Sequence, residues 1–185
     1  MYKNFIYLIL ISLFIGCENP VSVNDIKNID NVAYHNNKVF TVIAVDFDEN
    51  ENVRVKVSYK DGFKILTELF YSSGNVQSEW KYGASQISVR RFYKSGKVES
   101  EEIFDKKLVR NGLSKSYYKN GRLKREWNFK NGVRDGLQKN YYGDGSLSDE
   151  TETKNGLQNG YMRIYSRDGK LEKEVYYKEG TQIKI

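Results

Sequence analysis

The sequence predicts an all-β chain: an elongated antiparallel meander of repeated β-hairpins, placed after a signal peptide and a short tether. Three observations carry this. First, five glycines, Gly74, Gly96, Gly121, Gly145 and Gly169, stand 22 to 25 residues apart, and four places before each is an aromatic: Phe70, Phe92, Tyr117, Tyr141 and Tyr165. Second, each glycine is followed two places on by Val76, Val98, Leu123, Leu147 or Leu171, and five places on by Glu79, Glu101, Glu126, Glu150 or Glu174. Third, the runs between turn signals are five to eight residues long with no sustained 3.6-residue period, which is strand spacing and not helix spacing. A fixed period of this length belongs to a modular array in which each unit packs on its neighbours.

The amino terminus reads as an export signal over residues 1–16. Lys3 precedes the apolar run Phe5 to Ile11, and Leu13-Phe14-Ile15-Gly16 leads into Cys17. The run is shorter than the roughly 20 residues a membrane-spanning helix needs, and a small residue precedes the cleavage point. The segment Phe14-Ile15-Gly16-Cys17 resembles the lipobox of bacterial lipoproteins, with Phe14 where leucine is usual. That resemblance implies cleavage before Cys17 and diacylation of its sulfur. Cys17 is the only cysteine of the 185 residues, so no disulfide partner exists within the chain. Several acyl chains, at about 0.8 kcal/mol per buried methylene, hold a protein on a membrane far more firmly than one chain does.

Residues 17–33 contain the single proline, Pro20, with several Asn and Asp, and read as the lipidated residue and a polar tether. Residues 34–66 read as an N-terminal β cap or as degenerate repeats. Strands are expected at Lys38 to Val45 and Asn52 to Tyr59, the second strictly alternating, with a turn at Asp61-Gly62. Such a cap covers one open edge of the array. The hairpin array itself occupies 67–185.

Within the array the turn chemistry is explicit. Asn120-Gly121, Asn131-Gly132, Asp135-Gly136, Asp144-Gly145, Asn155-Gly156, Asn159-Gly160 and Asp168-Gly169 all tolerate the positive φ of type I′ hairpin turns. A two-residue loop at the five repeat glycines places the residue six before each opposite the residue five after it. The facing pairs are then Arg90–Glu101, Lys115–Glu126, Lys139–Glu150 and Arg163–Glu174, with Glu68 opposite Glu79 as the exception. The same register sets Tyr71 opposite Val76, Tyr93 opposite Val98, Tyr118 opposite Leu123 and Tyr142 opposite Leu147. Trp80, Trp127 and Val175 support the apolar face. Cross-strand charge pairs contribute only about 0.2–1 kcal/mol each, so they fix register more than they stabilise.

On these residues, over 113–180, the chain resembles the bacterial MORN repeat variant, a type often labelled an antitoxin repeat. The likeness fades upstream, where Lys107 replaces an inner glycine. It implies a string of hairpins in an elongated sheet used for scaffolding, binding or membrane association. An exported, lipidated protein would not meet a cytoplasmic toxin, so the antitoxin label carries little.

Composition narrows function mainly by exclusion. The net charge of +6 is spread along the chain, and export argues against nucleic acid as a partner. The single histidine, His35, falls near the tether, and no His/Cys set suits a transition metal. The expectation is no catalytic residue, no cofactor and no metal. Carboxylate-only glycan hydrolysis is the enzymatic alternative, but the recurrent glutamates already have register roles. With 15 Tyr, 9 Phe and 2 Trp, an envelope glycan or polymer is an alternative ligand, stacking on rings. Adjacent tyrosines at 117–118 and 141–142 point to opposite faces, which leaves Tyr117, Tyr141 and Tyr165 as the candidate binding surface. The favoured reading is a non-catalytic protein-interaction or scaffolding module, held by Cys17 on a membrane of the cell envelope, with an envelope protein as partner.

Overall fold

A computed structural model of the chain describes residues 21–29, 32–36, 38–39, 41 and 43–184. The expected signal peptide, Cys17 and the start of the tether lie outside these residues. Among the described residues there is no α-helix. A 15-stranded sheet and a small three-stranded sheet account for the fold.

The large sheet is a meander. From Ile43–Phe47 onward each strand pairs antiparallel with the next in the chain, through Val53–Lys60, Phe63–Phe70, Val76–Tyr82, Gln86–Phe92, Val98–Asp105, Gly112–Tyr117, Leu123–Lys130, Gly136–Tyr141, Leu147–Lys154, Leu157–Tyr165 and Leu171–Lys178 to Thr181–Ile183. Val133–Arg134 adds a short pairing to Leu123–Lys130. The pairing continues through residue 66, since strand Phe63–Phe70 joins the expected cap to the array.

Two kinds of hairpin turn alternate, although the sequence offers the same Asx-Gly dipeptide for both. At Asn131-Gly132 both residues have positive φ, 49° and 85°, and at Asn155-Gly156 they are 52° and 86°. These are two-residue type I′ turns, as expected. At Asn120-Gly121 only the glycine is positive, 93°. The Gly121 N–H donates to Tyr118 O and the Tyr118 N–H to Arg122 O, both 2.8 Å, which is a type I turn closed by a glycine bulge. Asp144-Gly145 and Asp168-Gly169 follow the same pattern. The extra bulge residue corrects the expected aromatic pairing. Leu123 faces Tyr117 and not Tyr118, Leu147 faces Tyr141 and not Tyr142, Val76 faces Phe70 and Val98 faces Phe92. The charge pairs lie beyond the bulge and stand in the expected register.

Asp135-Gly136 and Asn159-Gly160 are not turns. They begin or interrupt strands, and there the register jumps by two residues, from Phe129↔Arg134 to Glu126↔Lys139 and from Thr153↔Gln158 to Thr151↔Met162. Gly160, at φ 124°, lies so close to Glu152 that a Cβ would overlap its carboxylate.

The buried positions of the array, Ser78, Ile87, Val89, Glu102, Gln138 and Val175, all alternate with ladder residues and so lie on the face opposite the charge pairs. Repeats are joined at both edges. On one edge the tyrosine hydroxyls of Tyr71, Tyr93, Tyr118 and Tyr142 donate to the carbonyls of Phe92, Tyr117, Tyr141 and Tyr165, at 2.7–2.8 Å. On the other, the N–H groups of Gly132, Gly156 and Gly180 donate to Arg110, Arg134 and Gln158 carbonyls, at 2.8–2.9 Å.

The N-terminal part differs from expectation in two ways. From Val21 the chain is already folded: Val21–Ser22 pairs in parallel with Ile43–Phe47 and covers that edge of the sheet. The run 38–45 does not form one strand. Lys38–Val39 belongs to the small sheet with Lys27–Ile29 and Val32–His35, whereas Ile43–Phe47 belongs to the large one. This segment makes a second layer, where Ala33, Ala44, Val57 and Tyr59 are buried together with Val21, Val23, Ile26 and Val55 against them.

Candidate functional site

Each hairpin pair predicted from the sequence is one rung of a longer ladder. The turn after Tyr82 and the bulges at Asn111-Gly112, Asp135-Gly136 and Asn159-Gly160 also bring the linking strands into register, so Glu79 faces Arg90, Arg90 faces Glu101, Glu101 faces Lys115, Lys115 faces Glu126, Glu126 faces Lys139, Lys139 faces Glu150, Glu150 faces Arg163 and Arg163 faces Glu174. Signs alternate along the whole row. Ion pairs close at Arg90–Glu101 (2.7 Å), Lys115–Glu126 (3.1 Å), Arg163–Glu150 (3.3 Å) and Arg163–Glu174 (2.6 Å). The Glu68–Glu79 exception is relieved by Lys56, whose Nζ is 3.3 Å from Glu68.

Tyr117, Tyr141 and Tyr165 are half-buried on the ladder face. Their hydroxyls donate one repeat back: Tyr117 to Glu101 Oε2 (2.8 Å), Tyr141 to Glu126 Oε2 (2.7 Å) and Tyr165 to Glu150 Oε1 (3.0 Å). Burial, then the carboxylate bond, pushes the Tyr117 and Tyr141 phenols up to about 12; Tyr165 is raised for the same reasons. In return the Tyr141 hydroxyl is the main cause of a lowered Glu126 carboxyl. Burial works against ionisation of Glu101, but the bonds from Tyr117 and Arg90 outweigh it and lower that group too. Both hydroxyls of each tyrosine pair are bonded, and all four rings are half-buried. Tyr118 and Tyr142 tie to the next turn while Tyr117 and Tyr141 tie to the ladder.

His35 lies at the end of strand Val32–His35 in the small sheet, half-buried. Among the described residues no group of three or more His, Cys, Asp or Glu is placed to hold a metal ion. Cys17 lies outside the described residues.

The opposite face holds a cluster that sequence reasoning missed. Arg134 lies 3.9 Å and Arg125 4.8 Å from the centroid of the Trp127 ring. Arg110 sits 5.4 Å over Phe129 and Arg91 6.0 Å over Trp80. Glu102, only 6% exposed, is ion-paired to both Arg91 and Arg110. Arg125 could be placed beside Trp127 by alternation alone, but Arg134 comes alongside only through its pairing with Phe129, which the two-residue turn at Asn131-Gly132 sets.

Residues 110–131, 134–155 and 158–179 match the MORN repeat variant. No curated protein matches the chain. The three matched segments meet where the structure joins its units: each begins on the strand after an inner turn and ends in the next one, so each spans one type I–bulge hairpin together with its Asx-Gly bulge. In each repeat after the first, the tyrosine one place before the outer turn reaches the ladder glutamate of the repeat before it.

Proposed function

We propose that the protein is a membrane-anchored, non-catalytic interaction module of the bacterial cell envelope, held by a lipidated Cys17 and presenting its hairpin sheet to an envelope protein. One observation carries the reading: the recurrent tyrosines and glutamates, the residues a carboxylate hydrolase would use, are engaged with one another between repeats. Their recurrence is thereby accounted for as the joint between units. The faces of the sheet, and not a deep enclosed cleft, are what the array offers a partner.

A pull-down from detergent-solubilised envelope with the lipidated protein as bait tests the reading. A specific, stoichiometric protein partner is expected; turnover of glycan fragments that disappears in Glu126→Gln would replace the module with a hydrolase. Retention on envelope glycan, lost on replacing Tyr117 and Tyr141 by Ala while circular dichroism stays native, would support the polymer-binding alternative.

A further inference from the structure

We propose that the Arg125–Trp127–Arg134 cluster is the docking site for an acidic side chain of the protein partner; this rests on the protein-interaction reading above. Arg125, Trp127 and Arg134 share the face opposite the charge ladder, by alternation along Leu123–Lys130 and by the Phe129↔Arg134 pairing. The ladder arginines Arg90 and Arg163 have carboxylates within 4 Å, as do Arg91 and Arg110 on this face. Among the described residues, no carboxylate lies within that distance of Arg125 or Arg134. Both guanidinium groups are instead held by the Trp127 ring, whose Nε1 is fixed by a 3.2 Å bond to Asn140 Oδ1. Stacked, pre-oriented and uncompensated guanidinium groups are receptors for carboxylate.

Beside Arg125 and Trp127 is a groove of about 220 Å³, lined by Ser100, Ser114 and Ser116 together with Arg125, Trp127 and the Arg110–Glu102 ion pair, whose carboxylate is already neutralised by Arg91 and Arg110. Ser116 Oγ is buried there without a hydrogen-bond partner, although buried hydroxyls are ordinarily satisfied. A groove this size is smaller than the roughly 300 Å³ and upward of small-molecule sites, and it suits one inserted side chain better than a sugar ring. Tryptophan and arginine are also the residue types that dominate binding energy at protein interfaces. The occupant that fits is a glutamate or aspartate on a protein segment, its carboxylate on Arg125 with one oxygen within reach of a serine hydroxyl, while Arg134, which stands toward Phe129, adds positive charge from across the Trp127 ring.

Fluorescein-labelled hexaglutamate, titrated by anisotropy into the full chain, tests this. Saturable binding that weakens as salt rises is expected, with at least a tenfold loss in Arg125→Gln/Arg134→Gln and none in Arg167→Gln on the turn edge. Ser114→Glu, which sets a carboxylate opposite Trp127, is expected to abolish binding while leaving the stacked arginines in place, and keeps the test valid if the double variant folds poorly. No binding, equal binding by all variants, or tighter site-dependent binding of an oligouronate than of the peptide would overturn the proposal. An envelope partner captured equally by wild type and double variant would overturn it while leaving the interaction module standing; failure of the wild type to capture any protein would remove the module reading itself.

Discussion

Tyr141 donates its hydroxyl to Glu126 across 15 residues of chain, and Glu126 faces Lys115 on one side and Lys139 on the other. One phenol therefore joins two repeats to a ladder that crosses both. This bond and its equivalent from Tyr117 to Glu101 exist only while the phenols keep their protons, which gives the array a signature at high pH.

The folded phenols of Tyr117 and Tyr141 titrate near 12, against about 10 for the unfolded chain. A group whose folded pKa is raised contributes stability that is complete below its unfolded pKa and lost as pH rises through the folded one. Stability is therefore expected to fall between about pH 10 and 12. In a variant with both residues changed to Phe, the fall across this window should be smaller, at the expense of lower stability at pH 7 by about 1 kcal/mol for each hydrogen bond removed. Urea unfolding at several pH values checks this; parallel pH profiles for the two proteins would refute it.

Leu108 is strained. Its φ is 62°, and its N–H donates to Asp105 O in the turn, the role taken by glycine at Gly121. A left-handed conformation costs a residue with a Cβ about 1–2 kcal/mol, and the side chain is 56% exposed with little packing to lose. Leu108→Gly is expected to stabilise the protein by about 1 kcal/mol after the added freedom of the unfolded chain is subtracted. That corresponds to a rise in Tm of roughly 2–4 °C at this chain length, readable by calorimetry.

Gly160 should be the opposite case. Its φ of 124° and the overlap of a Cβ with Glu152 make Gly160→Ala costly, by about 2 kcal/mol or more. The bulge it occupies also sets Arg163 opposite Glu150. The variant should therefore lose the Glu150–Arg163 coupling in a double-mutant cycle, whereas Gly169→Ala, with open space around its Cβ position, should retain it. Equal coupling in both backgrounds would show that the bulge does not set the ladder.

These cases show why the sequence was legible in some places and opaque in others. The within-hairpin charge pairs follow from counting outward from a glycine, and a bulge of one residue inside the turn leaves them intact. The aromatic pairing sits next to that bulge and shifted with it, because Asn-Gly serves a type I′ turn at 131–132 and a glycine bulge at 120–121 equally well. The inter-repeat rungs were hidden because Asp135-Gly136 and Asn159-Gly160 look like turns. Each follows a true turn glycine by only four residues, too few for another hairpin strand, and that spacing was the available signal. The N-terminal layer has no repeat to count from, and residues 38 to 45 divide between two sheets. The arginine cluster needed the register before its members could be seen to meet.

The last prediction concerns where the array can be cut. Every strand of the large sheet from Ile43 onward pairs with its chain neighbours, and repeat-to-repeat hydrogen bonds reach only one unit back. Stability in such an array is close to a sum of unit and neighbour terms. Deleting residues 157–185 leaves Leu147–Lys154 as the new edge strand and keeps the buried Ala33–Ala44–Val57–Tyr59 cluster untouched. The shortened protein should retain its β circular-dichroism signal per residue and unfold at a lower temperature. Tyr141 should keep its bond to Glu126 and its high pKa, since both lie upstream of the cut. By contrast, deleting 21–39 removes the layer that covers Ala44, Val57 and Tyr59, and exposes the Ile43–Phe47 edge. That variant should bind a hydrophobic dye and aggregate through the uncovered strand. Complete loss of β signal in the 157–185 deletion would mean that the repeats form one indivisible cooperative unit.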